Sequence, residues 1–264
     1  MNLIKIAKDT QNVIDLGYYT NHLNERVDIT TEINESIIKS VYYKHDFIIP
    51  ALDLIKSNPK VYVTNETTAQ AARRYNQDLN KENIVALNFA SAKNPGGGWL
   101  RGAKAQEEDL ARCSSLYSSL LQYKDFYDFN RSLNTSLYSD AIIYSKDVVF
   151  FRDFNLQLTE NPYFASIITS PAPNTNFLSN EEKKQVPAVV KERIRKILSI
   201  AAMNKHKTLI LGAWGCGVFG NSSFLIASEF KNQINDFDFE EVCFAIYDTD
   251  SSQITFNIFN DILK

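Results

Sequence analysis

Residues 92–117 read AKNPGGGWLRGAKAQEEDLARCSSLY. The chain has only nine glycines in 264 residues, below the usual share of about 7%. Gly96, Gly97 and Gly98 stand in a row here, and Gly102 follows. Gly212, Gly215, Gly217 and Gly220 fall in a second stretch, LGAWGCGVFGN, and only Gly17 lies elsewhere. Trp99 and Trp214, the two tryptophans, sit in the same two stretches. Each stretch leaves a short apolar run (NIVALNFA, TLIL) and enters a helical pattern. Glycine permits positive φ and lets a ligand approach the main chain. Successive amides in such a turn form an anion-binding concavity, and a following helix start adds unpaired N–H groups. A tight strand-to-helix turn explains either loop alone. Two loops holding nearly every glycine predict a phosphate or diphosphate gripped by backbone.

Outward from these loops, strands and helices alternate from Lys60 onward. KVYVT is a strand, and NETTAQAARRYNQDL is a helix that Thr64 or Asn65 can cap. AQEEDLARCSSLYSSLL reads as one helix with Leu110, Cys113, Leu116, Tyr117, Leu120 and Leu121 on one face. AIIYS and DVVFF read as two strands parted by a Ser-Lys turn, and FASIITS as a third, stopped by Pro171 and Pro173. A helix after Pro187 carries the stripe Val190, Ile194, Ile197, Leu198 and Ala201, and TLIL, NSSFLIASEFKNQI and EVCFAIYDT follow as strand, helix and strand. This alternation predicts an α/β fold with a largely parallel sheet covered on both faces. Ligands of such sheets bind beyond the carboxyl ends of the strands, where both glycine loops leave. Residues 1–59 read as an accessory, partly helical segment before a catalytic domain at 60–264.

Net charge is −3, so no global field attracts nucleic acid and no nucleic-acid groove is expected. Cys113, Cys216 and Cys243 are too scattered for a disulfide framework or a zinc site. No metal and no cofactor are expected. The N-terminal stretch carries acids within its apolar pattern, unlike a signal peptide, and no apolar run approaches the roughly 20 residues of a membrane span. The expectation is a soluble, cytoplasmic protein. His22, His45 and His206 read as ordinary surface residues.

Three acids, Glu107, Glu108 and Asp109, open the helix after the first loop. Acids there oppose the positive end of the helix and stabilise it. Three adjacent carboxylates also repel, and one that is buried would stay protonated and could serve as a general acid. In the second loop, GCGVFG matches the dinucleotide fingerprint G-x-G-x-x-G, although only 44 residues follow Gly220. Cys216 could be a nucleophile activated by a helix start. The tryptophans and Phe219 either stack on a ligand or anchor the loops to the core.

NFASAKNPGGGWLRGAKAQEED, then ITSPAPN, then LGAWGCGVFGN resemble, in that order, the motifs of bacterial-type poly(ADP-ribose) glycohydrolases. The resemblance spans roughly residues 60–250. It implies a macrodomain-like, three-layer α/β/α fold with a mixed, largely parallel sheet and an N-terminal helical extension. It also implies hydrolysis of the ribose–ribose O-glycosidic bonds of poly(ADP-ribose). By resemblance Glu108 is the catalytic acid and Glu107 holds ribose hydroxyls. Gly96, Gly97 and Gly98 wrap the ribose end and the diphosphate, and Gln106, Ser91 and Asn94 bind substrate beside them. Gly212, Ala213, Trp214, Gly215, Cys216, Gly217, Val218 and Phe219 embrace the diphosphate, with Phe219 near the scissile ribose. The expected partners are poly(ADP-ribose) or ADP-ribosylated targets, with ADP-ribose as product and no membrane. A non-catalytic ADP-ribose reader and a hydrolase of mono-ADP-ribosylated protein or nucleic acid are the alternatives.

Overall fold

The computed structural model describes residues 2–50 and 56–264. In chain order the elements are α1 (Leu3–Leu16), β1 (Tyr18–Thr20), β2 (Arg26–Asp28), α2 (Thr30–Ile38), β3 (Val41–Tyr43), β4 (Lys60–Thr64), α3 (Thr68–Arg73), β5 (Ile84–Phe89), α4 (Gln106–Cys113) and α5 (Leu116–Leu121). Then follow α6 (Lys124–Ser132), β6 (Ile142–Arg152), β7 (Leu158–Ser170), α7 (Asn180–Lys183), α8 (Val186–Met203), β8 (Thr208–Leu211), α9 (Ser223–Ile234), β9 (Glu241–Ala245) and α10 (Ile254–Leu263). One seven-stranded sheet has the order β3-β6-β7-β5-β8-β9-β4. The strands from β7 to β4 run parallel, and β6 and β3 are antiparallel to their neighbours.

Strand parity divides the core. Val85 and Leu87 of β5 face the layer formed by α8, α9 and α10, with Val190, Ile194, Ile197, Leu198 and Ala201 buried as the sequence stripe implies. Ile84 and Ala86 face the opposite layer, with Leu110, Cys113, Leu116 and Leu120. The sheet is therefore mixed, largely parallel and covered on both faces, as the alternation of elements implies. The same parity turns Asn88 toward α4 and Phe89 toward the other layer.

Several local expectations change. The helix expected across residues 105–121 is two helices. Ser114 leaves the helix to bridge Phe150, and Ser115 exchanges hydrogen bonds with Val149 of β6. Tertiary pairing overrides helical spacing there, and Leu121 ends up exposed. AIIYS and DVVFF are one strand, β6, with an irregularity between Ser145 and Val148 instead of a turn. Asp147 takes φ 48° within it, and its N–H donates to Ser166 Oγ. The cap of α3 is Thr67, in a reciprocal box with Gln70, and neither Thr64 nor Asn65. His206 is buried, not a surface residue: its Nδ1 meets the Asn83 carbonyl oxygen at 2.7 Å and its Nε2 the Tyr144 hydroxyl at 2.8 Å. Burial pushes its pKa down. The first 59 residues hold α1 and α2 and also three strands, and β3 pairs with β6 in the main sheet. The portion of that segment at 51–55 lies outside the described residues. No helix among the described residues is long and apolar enough to cross a membrane.

Candidate active site

The first glycine loop leaves the carboxyl end of β5, and the second leaves the carboxyl end of β8, its immediate neighbour. Both are tied to one carbonyl at the end of β7. Ser170 O accepts the Ala90 N–H at 3.3 Å and the Trp214 indole N–H at 2.9 Å. Gly212 touches the ring of Phe89, where an added Cβ would lie 2.8 Å from Cζ. Tyr138 lies near both loops, its ring centre 6.0 Å from Lys93 Nζ and 6.1 Å from the Phe219 ring centre. The two loops thus meet over one edge of the sheet.

The triple glycine serves the carboxylates first. Gly97 has φ 63°, and a Cβ there would lie 2.9 Å from Glu108 Cδ and 3.1 Å from Glu107 Oε2. Only a residue without a side chain lets the backbone fold this closely over two acids. Glu108 Oε1 accepts the Gly98 N–H at 2.8 Å, and Oε2 accepts the Ala105 N–H at 3.1 Å, which caps α4. Glu107 lies deeper, 2% exposed against 8% for Glu108. Its Oε2 accepts the Ser91 N–H at 2.7 Å and its Oε1 the Asn88 amide at 3.2 Å. Desolvation raises the Glu107 carboxyl to about 8, despite those hydrogen bonds, which favour the anion. At neutral pH this group holds a proton. Asn88 Oδ1 has no donor, and a protonated Glu107 supplies one if the Asn88 amide is turned over. Asp109 is pushed up to about 6, again by burial, with Arg112 opposing.

Desolvation therefore acts most on Glu107, an outcome the run of three acids did not specify. Asn88 is the residue that the sequence reading missed. Strand parity held the signal, since Asn88 is the polar member at the end of the β5 face that meets α4. Ser91 contributes its backbone N–H, and its hydroxyl accepts the N–H groups of Lys93 and Asn94. Asn94 is exposed, and its carbonyl accepts the Gly97 N–H. Gln106 is a strut between elements: its Oε1 accepts the Phe89 N–H, and its Nε2 donates to Leu87 O and Thr68 Oγ1.

A cavity of about 760 Å³ runs along the second loop from Ala213 to Phe219. Gln106 and Asp109 of α4, Phe89, and residues 245–248 where the chain leaves β9 stand among its other walls. The size suits a nucleotide-scale ligand. Glu107, Glu108, Ser91, Asn94 and Gly96–Gly98 stand outside this wall, joined to it through Ala105 and Gln106. The loops differ in their free donors. Gly97 and Gly98 commit their amides to Asn94 O and Glu108. The amides of Gly217, Val218 and Phe219 donate to no acceptor among the described residues. Three successive free N–H groups in the loop that precedes α9 make an anion nest. An added Cβ at Gly217 would meet open space, whereas at Gly215, φ 73°, it would lie 2.7 Å from Asn221 Nδ2.

Both tryptophans are anchors. Trp214 is fully buried with its indole bound to Ser170 O, and Trp99 packs on Ala7, Ala111 and Tyr117. Neither ring is free to stack on a base. Burial pushes the Cys216 thiol up to about 12, which overturns its reading as an activated nucleophile. Among the described residues no group of three His, Cys, Asp or Glu side chains could hold a metal ion.

Residues 7–153 match the family model of the microbial-type PARG (poly(ADP-ribose) glycohydrolase) catalytic domain. Among solved structures, the chain is similar to poly(ADP-ribose) glycohydrolase from Thermomonospora curvata bound to the inhibitor ADP-HPD, with 36% identity over 98% of each chain and a TM-score of 0.91. It is also similar to the Deinococcus radiodurans enzyme in complex with ADP-ribose, with 35% identity over 88% of this chain and 97% of that one and a TM-score of 0.78. No curated protein matches it.

Proposed function

The chain belongs to the microbial-type PARG family and is a glycoside hydrolase acting on poly(ADP-ribose), and on that premise we propose that Glu108 carries the proton transfers. The reading rests on one arrangement: two carboxylates pressed against Gly97, beside a cleft with free amides at 217–219. The diphosphate of the bound unit lies on those amides, and its distal ribose reaches Glu108. Glu108 gives its proton to the departing O2′ as the C1″–O2′ bond breaks. The oxocarbenium-like sugar is stabilised by the diphosphate held nearby. Water then bonds to C1″ and returns a proton to Glu108. One carboxylate acts twice, unlike the usual pair that divides the work. Glu107, neutral and buried, braces Ser91 and Asn88 and holds ribose hydroxyls.

We assign the substrate-binding roles to the second loop through backbone amides at Gly217, Val218 and Phe219, and to Gly96–Gly98 through shape. The three cysteines are free, which supports a reducing, cytoplasmic setting. The test is Glu108→Gln. It should bind ADP-ribose with near wild-type affinity and release almost none from polymer. Substantial remaining turnover removes Glu108 from the role. Wild-type protein that binds ADP-ribose and leaves polymer intact would favour the reader alternative.

A further inference from the structure

Against both glycine-bearing loops lies a second cluster that the proton transfers do not use. Tyr138 has φ 60°, a left-handed conformation that bulky residues rarely adopt. A buried guanidinium holds it there. Arg193, 1% exposed, donates to Asp140 Oδ1 at 2.8 Å, Leu137 O at 3.1 Å, Pro171 O at 2.8 Å and Tyr138 O at 3.3 Å. The ring lies 6.0 Å from Lys93 Nζ of the first loop and 6.1 Å from the Phe219 ring of the second. Ser136 O accepts the Asn174 N–H at 2.8 Å, which joins this segment to the 174–177 turn. That turn is joined to the second loop by Thr175 N–H to Phe219 O at 2.9 Å and Asn176 Nδ2 to Val218 O at 2.7 Å. Phe177 at its end is 76% exposed, and the Tyr138 hydroxyl has no partner among the described residues.

We propose that Tyr138, Phe177 and Lys93 form the leaving-group subsite, where the adenosine of the adjacent polymer unit rests while its O2′ departs. The proposal rests on the hydrolase reading above. The bond that breaks joins C1″ of one unit to O2′ of the next unit's adenosine. A purine and a diphosphate therefore always arrive within one sugar of Glu108. Aromatic faces suit the purine and an exposed ammonium suits the diphosphate. The cluster is continuous with the proposed site through Phe219 and through the loop that carries Asn94, whose carbonyl holds Gly97. Arg193 braces the 137–140 backbone that carries the Tyr138 ring, and free ADP-ribose makes no use of that ring. The subsite thus favours polymer over conjugates whose leaving group lacks a purine.

The test uses Phe177→Ala, Lys93→Ala and Tyr138→Asn, asparagine being a residue that tolerates positive φ. Each is assayed on a two-unit ADP-ribose oligomer and on a 1″-O-aryl glycoside of ADP-ribose, with ADP-ribose affinity measured by calorimetry. Loss of either aromatic should lower kcat/KM on the oligomer on the order of tenfold, and loss of Lys93 by about threefold. Aryl-glycoside turnover and ADP-ribose affinity should stay within about twofold. Equal losses on both substrates, or no loss on the oligomer, would overturn the subsite. Phe177 is exposed, so its variant decides the matter if Tyr138→Asn does not fold. Wild-type protein that fails on the oligomer yet binds ADP-ribose would instead refute the hydrolase reading itself.

Discussion

Glu107→Gln should remove a pH dependence of folding that the wild-type chain carries between about pH 5 and 8. The carboxyl sits at about 8 in the folded protein because of burial, against an ordinary 4.5. Between those values the folded state binds more protons than the unfolded one. Stability from this group is therefore complete below pH 4.5 and is lost as pH rises through about 8. The shift from 4.5 to about 8, at about 1.4 kcal/mol per unit, amounts to about 5 kcal/mol. Water admitted around the ionised group makes that an upper bound. Glutamine has the same size, its oxygen can accept the Ser91 N–H, and its amide can meet Asn88 Oδ1 once the Asn88 amide is turned over. Asp109, raised to about 6, loses stability in the same direction at lower pH, and His206, lowered by burial, runs the opposite way. Both effects cancel when variant and wild type are compared at each pH. Urea unfolding at pH 5, 6, 7, 8 and 9 should show the variant gaining on wild type by about 1 kcal/mol per unit between pH 6 and 8. A difference independent of pH would refute the desolvation argument.

Gly97→Ala meets both a positive φ and the Glu108 carboxylate; it should cost about 1–2 kcal/mol of stability and lower kcat on polymer by at least about a hundredfold, and near wild-type turnover would show that the carboxylates do not depend on this close approach. Cys216→Ser should keep activity within a few-fold, and iodoacetamide at pH 7.5 should leave the wild-type Cys216 largely unmodified over the time that labels free glutathione, because burial keeps its thiol protonated; rapid alkylation with parallel loss of activity would contradict that.

Much of the fold was legible in residue order alone. Strands with buried runs, helices with apolar stripes and glycine loops at strand ends are local features, and each depends on spacing within a dozen residues. The alternation from Lys60 onward identifies the α/β class, and the crowding of glycine and tryptophan into two stretches marks the ligand edge. Elements whose course depends on distant partners were not legible. Ser114 breaks its helix because β6 offers a hydrogen bond, and the first 59 residues contribute β3 because an edge of the sheet is open to it. The sequence by itself determined that carboxylates would follow the triple glycine at a helix start. Tertiary structure decided which of them is desolvated, because burial is set by Asn88, Ser91 and the folded loop together. It also decided that the tryptophans anchor, that burial keeps the Cys216 thiol protonated, and that Tyr138 lies near both loops. Those outcomes are properties of neighbours brought together from across the chain, and no local spacing encodes them.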